Sequence, residues 1–177
     1  MSQLDDAVAA LRRGEVVGIP TDTVYGIVTL PAFSDRLYEV KGRPRSLELP
    51  TLVADVAQAR TLVAFTSATE RLAERFWPGK LTIVVGGVGL RVPDHEVPRK
   101  LCRAVGPLAS TSANPHGAPP CATADEVRAL TGVSVVVDGG PCDGAASTVV
   151  AVDPFRVIRE GAIAAAEVET CSGSSSR

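Results

Sequence analysis

Short apolar runs rich in β-branched residues recur along this chain and alternate with helix-start signals. Such runs predict strands at residues 16–20, 51–54, 81–85, 90–92, 107–110, 133–137, 148–152 and 157–158. Capping boxes that mark helix starts pair Ser2 with Asp5, Ser67 with Glu70, and Thr123 with Glu126. Continuous apolar strands separated by helices are typical of an α/β domain whose sheet is covered by helices on both faces. The hairpin-like spacing of residues 84–92 favours some antiparallel pairing, so we expect an open, twisted, mixed sheet.

The length of 177 residues favours one domain, and we place it at residues 1–166. The polar, serine-rich end of the chain predicts a disordered tail over residues 167–177. The N-terminus lacks the regions of a signal peptide, and no apolar run is long enough to span a bilayer. We therefore expect a cytoplasmic protein with no membrane partner. The formal net charge of −2 leaves no overall electrostatic signature for nucleic acid.

Four polar segments, at residues 20–26, 41–44, 110–114 and 147–149, each lie at the end of an apolar run. Ligands of α/β domains bind at strand ends. Hydroxyls, an amide and two cations suit a polyanion such as a nucleoside triphosphate. Each segment taken alone is also compatible with an ordinary polar or basic turn that satisfies its own backbone.

Two arginines follow apolar residues in predicted strands. Arg91 and Arg159 each lie either on a solvent face or in a polar pocket with a partner. A catalytic pair of Cys102 or Cys121 with a histidine is an alternative, but nothing in the sequence indicates a lowered thiol pKa. The four cysteines are widely spaced and only two histidines exist, so we expect no protein-bound metal.

Taken in order, the polar segments resemble the YrdC family, the threonylcarbamoyl-AMP synthases. The matching stretches are residues 20–26, 38–44, 77–82, 91–95, 106–114, 147–149 and 158–161. Seven matches in the family's order are far more specific than any one of them. The resemblance implies a YrdC-like twisted sheet around a basic cavity. It also implies a nucleotidyltransferase that makes threonylcarbamoyl-adenylate and pyrophosphate from L-threonine, bicarbonate and ATP, with Mg²⁺ entering with ATP. The product would serve the t6A modification of tRNA, whose pathway proteins and tRNA are further candidate partners.

The resemblance also implies roles for individual residues. Lys41 and Arg43 correspond to the paired catalytic cations that hold the phosphates and the carbamoyl group. The remaining ATP and phosphate contacts correspond to Ser112, Asn114 and Arg159. The threonine contacts correspond to Thr21 or Thr23, Arg91, Ser110 and Ser147. Because charge accumulates on phosphate oxygens in this chemistry, cations contribute most and no protein nucleophile is required.

The chain departs from the family pattern at three positions of interest. Ala54 stands where many members have a threonine-contacting histidine, Gly87 where a nucleotide-contacting threonine is common, and Pro120 where a serine is common. We therefore expect threonine to bind weakly or only after ATP. Two alternatives remain: a YrdC-like RNA-binding or nucleotide-binding paralogue without synthase activity, and carbamoyl-adenylate chemistry with another amine. The aromatic content of 4% speaks against RNA readout, which usually needs stacking surfaces.

Overall fold

The computed structural model describes residues 2–142 and 144–173. The strands of this part are Val16–Ile19 (β1), Gly26–Thr29 (β2), Thr51–Leu52 (β3), Leu81–Val85 (β4), Val88–Arg91 (β5), Leu108–Ser112 (β6), Val133–Val136 (β7), Thr148–Val152 (β8) and Phe155–Arg159 (β9). The α-helices are Gln3–Arg12 (α1), Asp35–Lys41 (α2), Val56–Arg60 (α3), Ser67–Phe76 (α4), Glu96–Val105 (α5), Ala124–Arg128 (α6) and Ala165–Ser172 (α7). None of these helices has the length and apolar content that crossing a bilayer requires.

All nine strands join one sheet in the order β7-β1-β2-β6-β3-β5-β4-β8-β9. The pairs β1/β7, β3/β5 and β4/β8 are parallel, and the other neighbours are antiparallel. The predicted hairpin is confirmed, since β4 and β5 pair from Ile83 and Leu90 to Val85 and Val88. Gly86 and Gly87 form its turn with φ of 57° and 85°. The mixed α/β fold is as predicted.

Helices cover both faces of the sheet at its β1/β2 end. Val17 of β1 packs with Leu11 of α1 and Leu101 of α5. The preceding residue, Val16, packs on the opposite face with Leu37 of α2, in a cluster that also includes α6. Because successive strand residues point to opposite faces, a continuous apolar strand must be covered on both sides.

At the β4/β8 end, one face is core and the other faces a cavity. Leu81 and Ile83 are fully buried against Leu72 of α4 and Val168 of α7. The alternate residues Thr82 and Val84, with Val149 and Ala151 of β8, line the cavity. Strand periodicity therefore separates the residues that stabilise this half of the domain from those that can contact a ligand.

Local hydrogen bonding confirms two of the three predicted capping boxes, those beginning at Ser2 and Thr123. The third prediction is wrong: Thr66, not Ser67, caps α4, and its Oγ1 accepts from the Thr69 N–H at 3.2 Å. Strand β6 continues through residues 111 and 112, beyond the strand end predicted at residue 110, because that stretch pairs antiparallel with β2. Strand β2 itself was not predicted.

The predicted disordered tail is wrong for residues 167–173. They belong to α7 and its C-terminal cap. Val168 is fully buried in the core beside α4, and Arg71 of α4 donates to the carbonyl of Ser172 at 2.5 Å. A buried valine and a capped helix end hold this polar segment on the domain, which its composition alone could not indicate. Residues 174–177 of the predicted tail lie outside the described residues.

Candidate functional site

A cavity of about 630 Å³ lies over the centre of the sheet, a size typical of small-molecule sites. Eight of the ten predicted site residues line it: Thr21, Thr23, Arg43, Arg91, Ser110, Ser112, Ser147 and Arg159. Lys41 and Asn114 are not among its lining residues. These residues, up to 138 positions apart in the chain (21 to 159), meet here because the strands that carry or flank them join one sheet.

The guanidinium of Arg91 is held in place by three acceptors. Its Nε donates to the Gly79 carbonyl at 3.0 Å, Nη1 to Thr23 Oγ1 at 3.0 Å, and Nη2 to Asp22 Oδ1 at 2.6 Å. Of the alternatives open for this arginine, the polar pocket is confirmed. Burial lowers the pKa of Arg91 and the Asp22 carboxylate opposes that shift. An arginine has five N–H donors, so two remain for a ligand.

The hydroxyls beside Arg91 form a directed chain. Thr21 Oγ1 donates its one proton to the Val24 carbonyl at 2.6 Å. The 2.9 Å contact between Thr21 Oγ1 and Thr23 Oγ1 must therefore have Thr23 as donor. Thr23 Oγ1 then accepts from Arg91. The Thr-Asp-Thr segment thus acts mainly to orient Arg91.

Lys41 forms a buried cluster with the end of β6. Its Nζ donates to the Ser112 carbonyl at 2.9 Å, to Ser112 Oγ at 3.2 Å and to Asn114 Oδ1 at 2.8 Å. Lys41 ends α2, whose C-cap is Gly42 with φ of 60°, and it is only 6% exposed. Burial, together with the charge of Arg43, lowers the pKa of Lys41 to about 8. Lys41 therefore belongs to a helix end and is buried against Ser112, so an ordinary basic turn, the alternative for residues 41–44, does not describe it.

Arg43 and Arg159 give the cavity an unneutralised cationic wall. Arg43 donates to Thr111 Oγ1 at 3.3 Å and to the Glu48 carbonyl at 3.2 Å, and its buried Nε has no partner among the described residues. Arg159 donates to the carbonyl and hydroxyl of Ser147 at 2.8 and 3.3 Å. Burial lowers the pKa of Arg159, and the charge of Arg43 lowers it further. The two cations are therefore close enough to repel each other. Such a wall suits a polyanion.

The sequence of this chain matches a known protein family. A sequence profile described as Telomere recombination, which covers Sua5, YciO and YrdC, matches residues 9–161. This chain belongs to the Sua5/YciO/YrdC family. The family predicted from the polar segments is confirmed.

Relatives of this chain include threonylcarbamoyl-AMP synthases from Vibrio cholerae and Bacillus subtilis. The first is 38% identical over 78% of this chain and 86% of the relative. The second is 35% identical over 97% of this chain, but the chain spans only 57% of that relative's length. The structure of Pyrococcus abyssi Sua5 complexed with L-threonine superposes with a TM-score of 0.87 at 31% identity, over 95% of this chain and 56% of Sua5. Escherichia coli YciO shares the fold, with a TM-score of 0.81 at 23% identity over 90% of this chain and 89% of YciO.

The cavity-lining residues that were not predicted as site residues include two with polar side chains, Thr82 and Arg156. Thr82 lines the cavity and lies 3.1 Å, Oγ to Oγ, from Ser147. Its signal in the sequence is the polar residue between the buried Leu81 and Ile83. Arg156 also lines the cavity. It is an exposed residue of the edge strand β9, and nothing in the sequence around it distinguishes it from an ordinary surface arginine.

Of the three positions where the chain departs from the family pattern, two line the cavity and one does not. Gly87 and Pro120 line the cavity, as the resemblance implies. Ala54 does not: β3 ends at Leu52, and Ala54 is buried in the core beside Leu101. The structure therefore does not support the expectation that Ala54 removes a contact to threonine.

The cysteine alternative finds no support in this family member. Cys102 is fully buried in α5, and burial raises its thiol pKa to about 12. Burial also raises the pKa of Cys121. A nucleophilic thiol needs a lowered pKa. Within residues 2–142 and 144–173, no three His, Cys, Asp or Glu side chains gather where they could hold a metal ion.

Proposed function

We propose that this chain is a threonylcarbamoyl-AMP synthase, which converts L-threonine, bicarbonate and ATP into threonylcarbamoyl-adenylate, pyrophosphate and water. The observation that carries the proposal is that one cavity is lined by arginines in two different settings. Arg91 is paired with Asp22 and Thr23 and keeps two of its five N–H donors for a ligand. Arg43 and Arg159 have no carboxylate partner among the described residues. The synthase from Vibrio cholerae, matched over most of its length, supports this function.

The proposed reaction forms two bonds in succession. The threonine amine forms a bond to the carbon of carbon dioxide or a bicarbonate-derived species and loses a proton, while one carbon–oxygen bond of bicarbonate breaks and that oxygen leaves as water, which gives a carbamate. A carbamate oxygen then attacks the α-phosphorus of ATP, and the bond to the β-phosphate oxygen breaks as pyrophosphate leaves. Negative charge builds up on phosphate oxygens, where Arg43 and Arg159 would stabilise it. Lys41 would support this wall indirectly, by holding Ser112 and Asn114 in position.

The amino acid would occupy the Arg91 part of the cavity. Two free N–H groups on a planar guanidinium match the two oxygens of a carboxylate. The hydroxyls of Ser110 and Ser147 line the same cavity and would contact the remaining polar groups. The P. abyssi relative, which was solved with L-threonine, supports an amino acid in such a site.

Magnesium would enter as the ATP complex. The carboxylates that line the cavity, Glu48 and Asp153, do not belong to any cluster of ligating groups among the described residues. Mg²⁺ is usually bound through substrate phosphates and waters with only one or two carboxylates, so this donor set fits such a complex. The metal would neutralise phosphate charge. A synthase of this kind would work in the cytoplasm, where ATP and the tRNA that receives the t6A modification are found.

The proposal is tested by measuring pyrophosphate release from ATP and bicarbonate with and without threonine, with mass analysis of the adenylate. Release that requires threonine supports the synthase. Release that requires a different amine would assign related chemistry with another substrate. The absence of turnover at any amine would favour the paralogue that binds nucleotide or RNA without catalysis. Arg12→Ala, an exposed helix position, serves as the control for arginine replacement.

A further inference from the structure

The arginines of the cavity differ in how their charges are balanced. Arg91 forms an ion pair with Asp22 in which the two side chains are only 8% and 10% exposed. Arg43 and Arg159, on the same cavity, have no carboxylate partner among the described residues. An ion pair this deeply buried is screened little by solvent, so it alters the local field strongly.

Among the described residues, the carboxylate of Asp22 accepts its hydrogen bond from Arg91. Its Oδ1 accepts from Arg91 Nη2 at 2.6 Å. Its Oδ2 is buried and has no hydrogen-bond partner among the described residues. Its negative charge therefore acts on Arg91 at contact distance, and its field also reaches His95. The charge of Arg159 reaches Arg91 as well, but the ion pair leaves the Arg91 part of the cavity less positive than the part around Arg43 and Arg159. The Arg43 and Arg159 part stays positive.

We propose that Asp22 is a specificity-determining residue that keeps polyanions off Arg91. The inference rests on the proposed function, because it assigns Arg91 to the amino acid. A zwitterionic amino acid brings one carboxylate and one ammonium, so a neutral pair can bind it through hydrogen bonds. A phosphate group brings about two negative charges and is repelled by Asp22. The triphosphate is thereby directed to Arg43 and Arg159, and the two substrates do not compete for one arginine.

The first test counts binding sites for inorganic pyrophosphate by calorimetry without divalent cations. The wild-type protein should bind one pyrophosphate, and Asp22→Asn should bind two, because the amide keeps the shape but not the charge. Asp22→Asn combined with Arg91→Gln should return to one site. The control is Asp153→Asn, which removes a carboxylate from the same cavity and should still bind one. This measurement needs no catalysis, so it can be read even if the proposed reaction is not found.

The second test measures threonine affinity with and without pyrophosphate. Without it, Asp22→Asn should bind threonine within about threefold of wild type, because Arg91 keeps its charge and its neighbours. With saturating pyrophosphate, the affinity of this variant should fall about ten- to a hundredfold, while wild type changes little. A purely structural role for Asp22 would weaken threonine binding equally in both conditions. Asp22→Glu, which restores the charge, should restore wild-type behaviour.

A single pyrophosphate site in folded Asp22→Asn would overturn the proposal, and so would a second site that persists without Arg91. If Asp22→Asn does not fold, Arg91→Lys decides, because it keeps a cation beside Asp22. That variant should bind pyrophosphate within about twofold of wild type and threonine at least about tenfold more weakly. A tenfold loss of pyrophosphate affinity would show that phosphates already use Arg91, contrary to the proposal.

Discussion

Replacing Arg43 with alanine should remove most of the proposed synthase turnover and leave the fold almost as stable. The two hydrogen bonds of Arg43 are long, at 3.3 and 3.2 Å, and both acceptors are neutral. Each is worth about 0.5–1.5 kcal/mol. The replacement also removes a buried N–H without a described partner, which offsets part of that loss. We expect a net destabilisation of about 1 kcal/mol, or roughly 2–4 °C in Tm for a domain of this size.

The effect on turnover should be much larger. Loss of a charge-assisted contact made in the transition state costs about 2–4 kcal/mol, or roughly 30- to 1000-fold in rate. Pyrophosphate release and thermal unfolding would be measured on the same samples of wild type, Arg43→Ala and the control Arg12→Ala. Turnover of Arg43→Ala within threefold of wild type would refute the assignment of Arg43 to the phosphates. A loss of activity that follows a large loss of stability would instead show a structural role.

Three further predictions concern Lys41, the metal and the last helix. Because the folded-state pKa of Lys41 is lowered from 10.5 to about 8, burying its charge disfavours folding below pH 8, and this penalty disappears as the pH rises towards 10.5. Denaturation measured against pH should therefore show the unfolding free energy of wild type rising by about 1–3 kcal/mol relative to Lys41→Met between pH 8 and 10.5. Turnover should fall above pH 8. Parallel stability curves for the two proteins would contradict this prediction. Elemental analysis should find no stoichiometric metal in protein purified without nucleotide. A chelator should abolish turnover, and added Mg²⁺ should restore it. Bound zinc, or turnover that the chelator does not affect, would count against the proposal. Val168→Ala should cost about 2 kcal/mol of unfolding free energy, since it removes two methyl groups from a fully buried side chain, and an unchanged denaturation midpoint would mean that α7 does not pack as described.

Local patterns in the sequence were sufficient for much of the fold and for most of the candidate site. The apolar run at residues 81–85 marked a strand, and the capping boxes at Ser2 and Thr123 marked two helix starts. These features depend on neighbours within a few residues, so they can be read without tertiary structure. The order of seven short segments identified the family, and eight of the ten residues assigned from it line one cavity.

The tertiary structure alone decided which of those residues are in contact, how deeply they are buried and which charges are paired. Asp22 and Arg91 are 69 positions apart, and Lys41 lies 71 positions from Ser112, so no local pattern could indicate that either pair is in contact. The burial of Lys41, the exclusion of Ala54 from the cavity and the packing of Val168 all depend on which elements the sheet order places side by side. Charge and burial at a site are sums over such distant neighbours. They are therefore properties of the folded chain rather than of any segment.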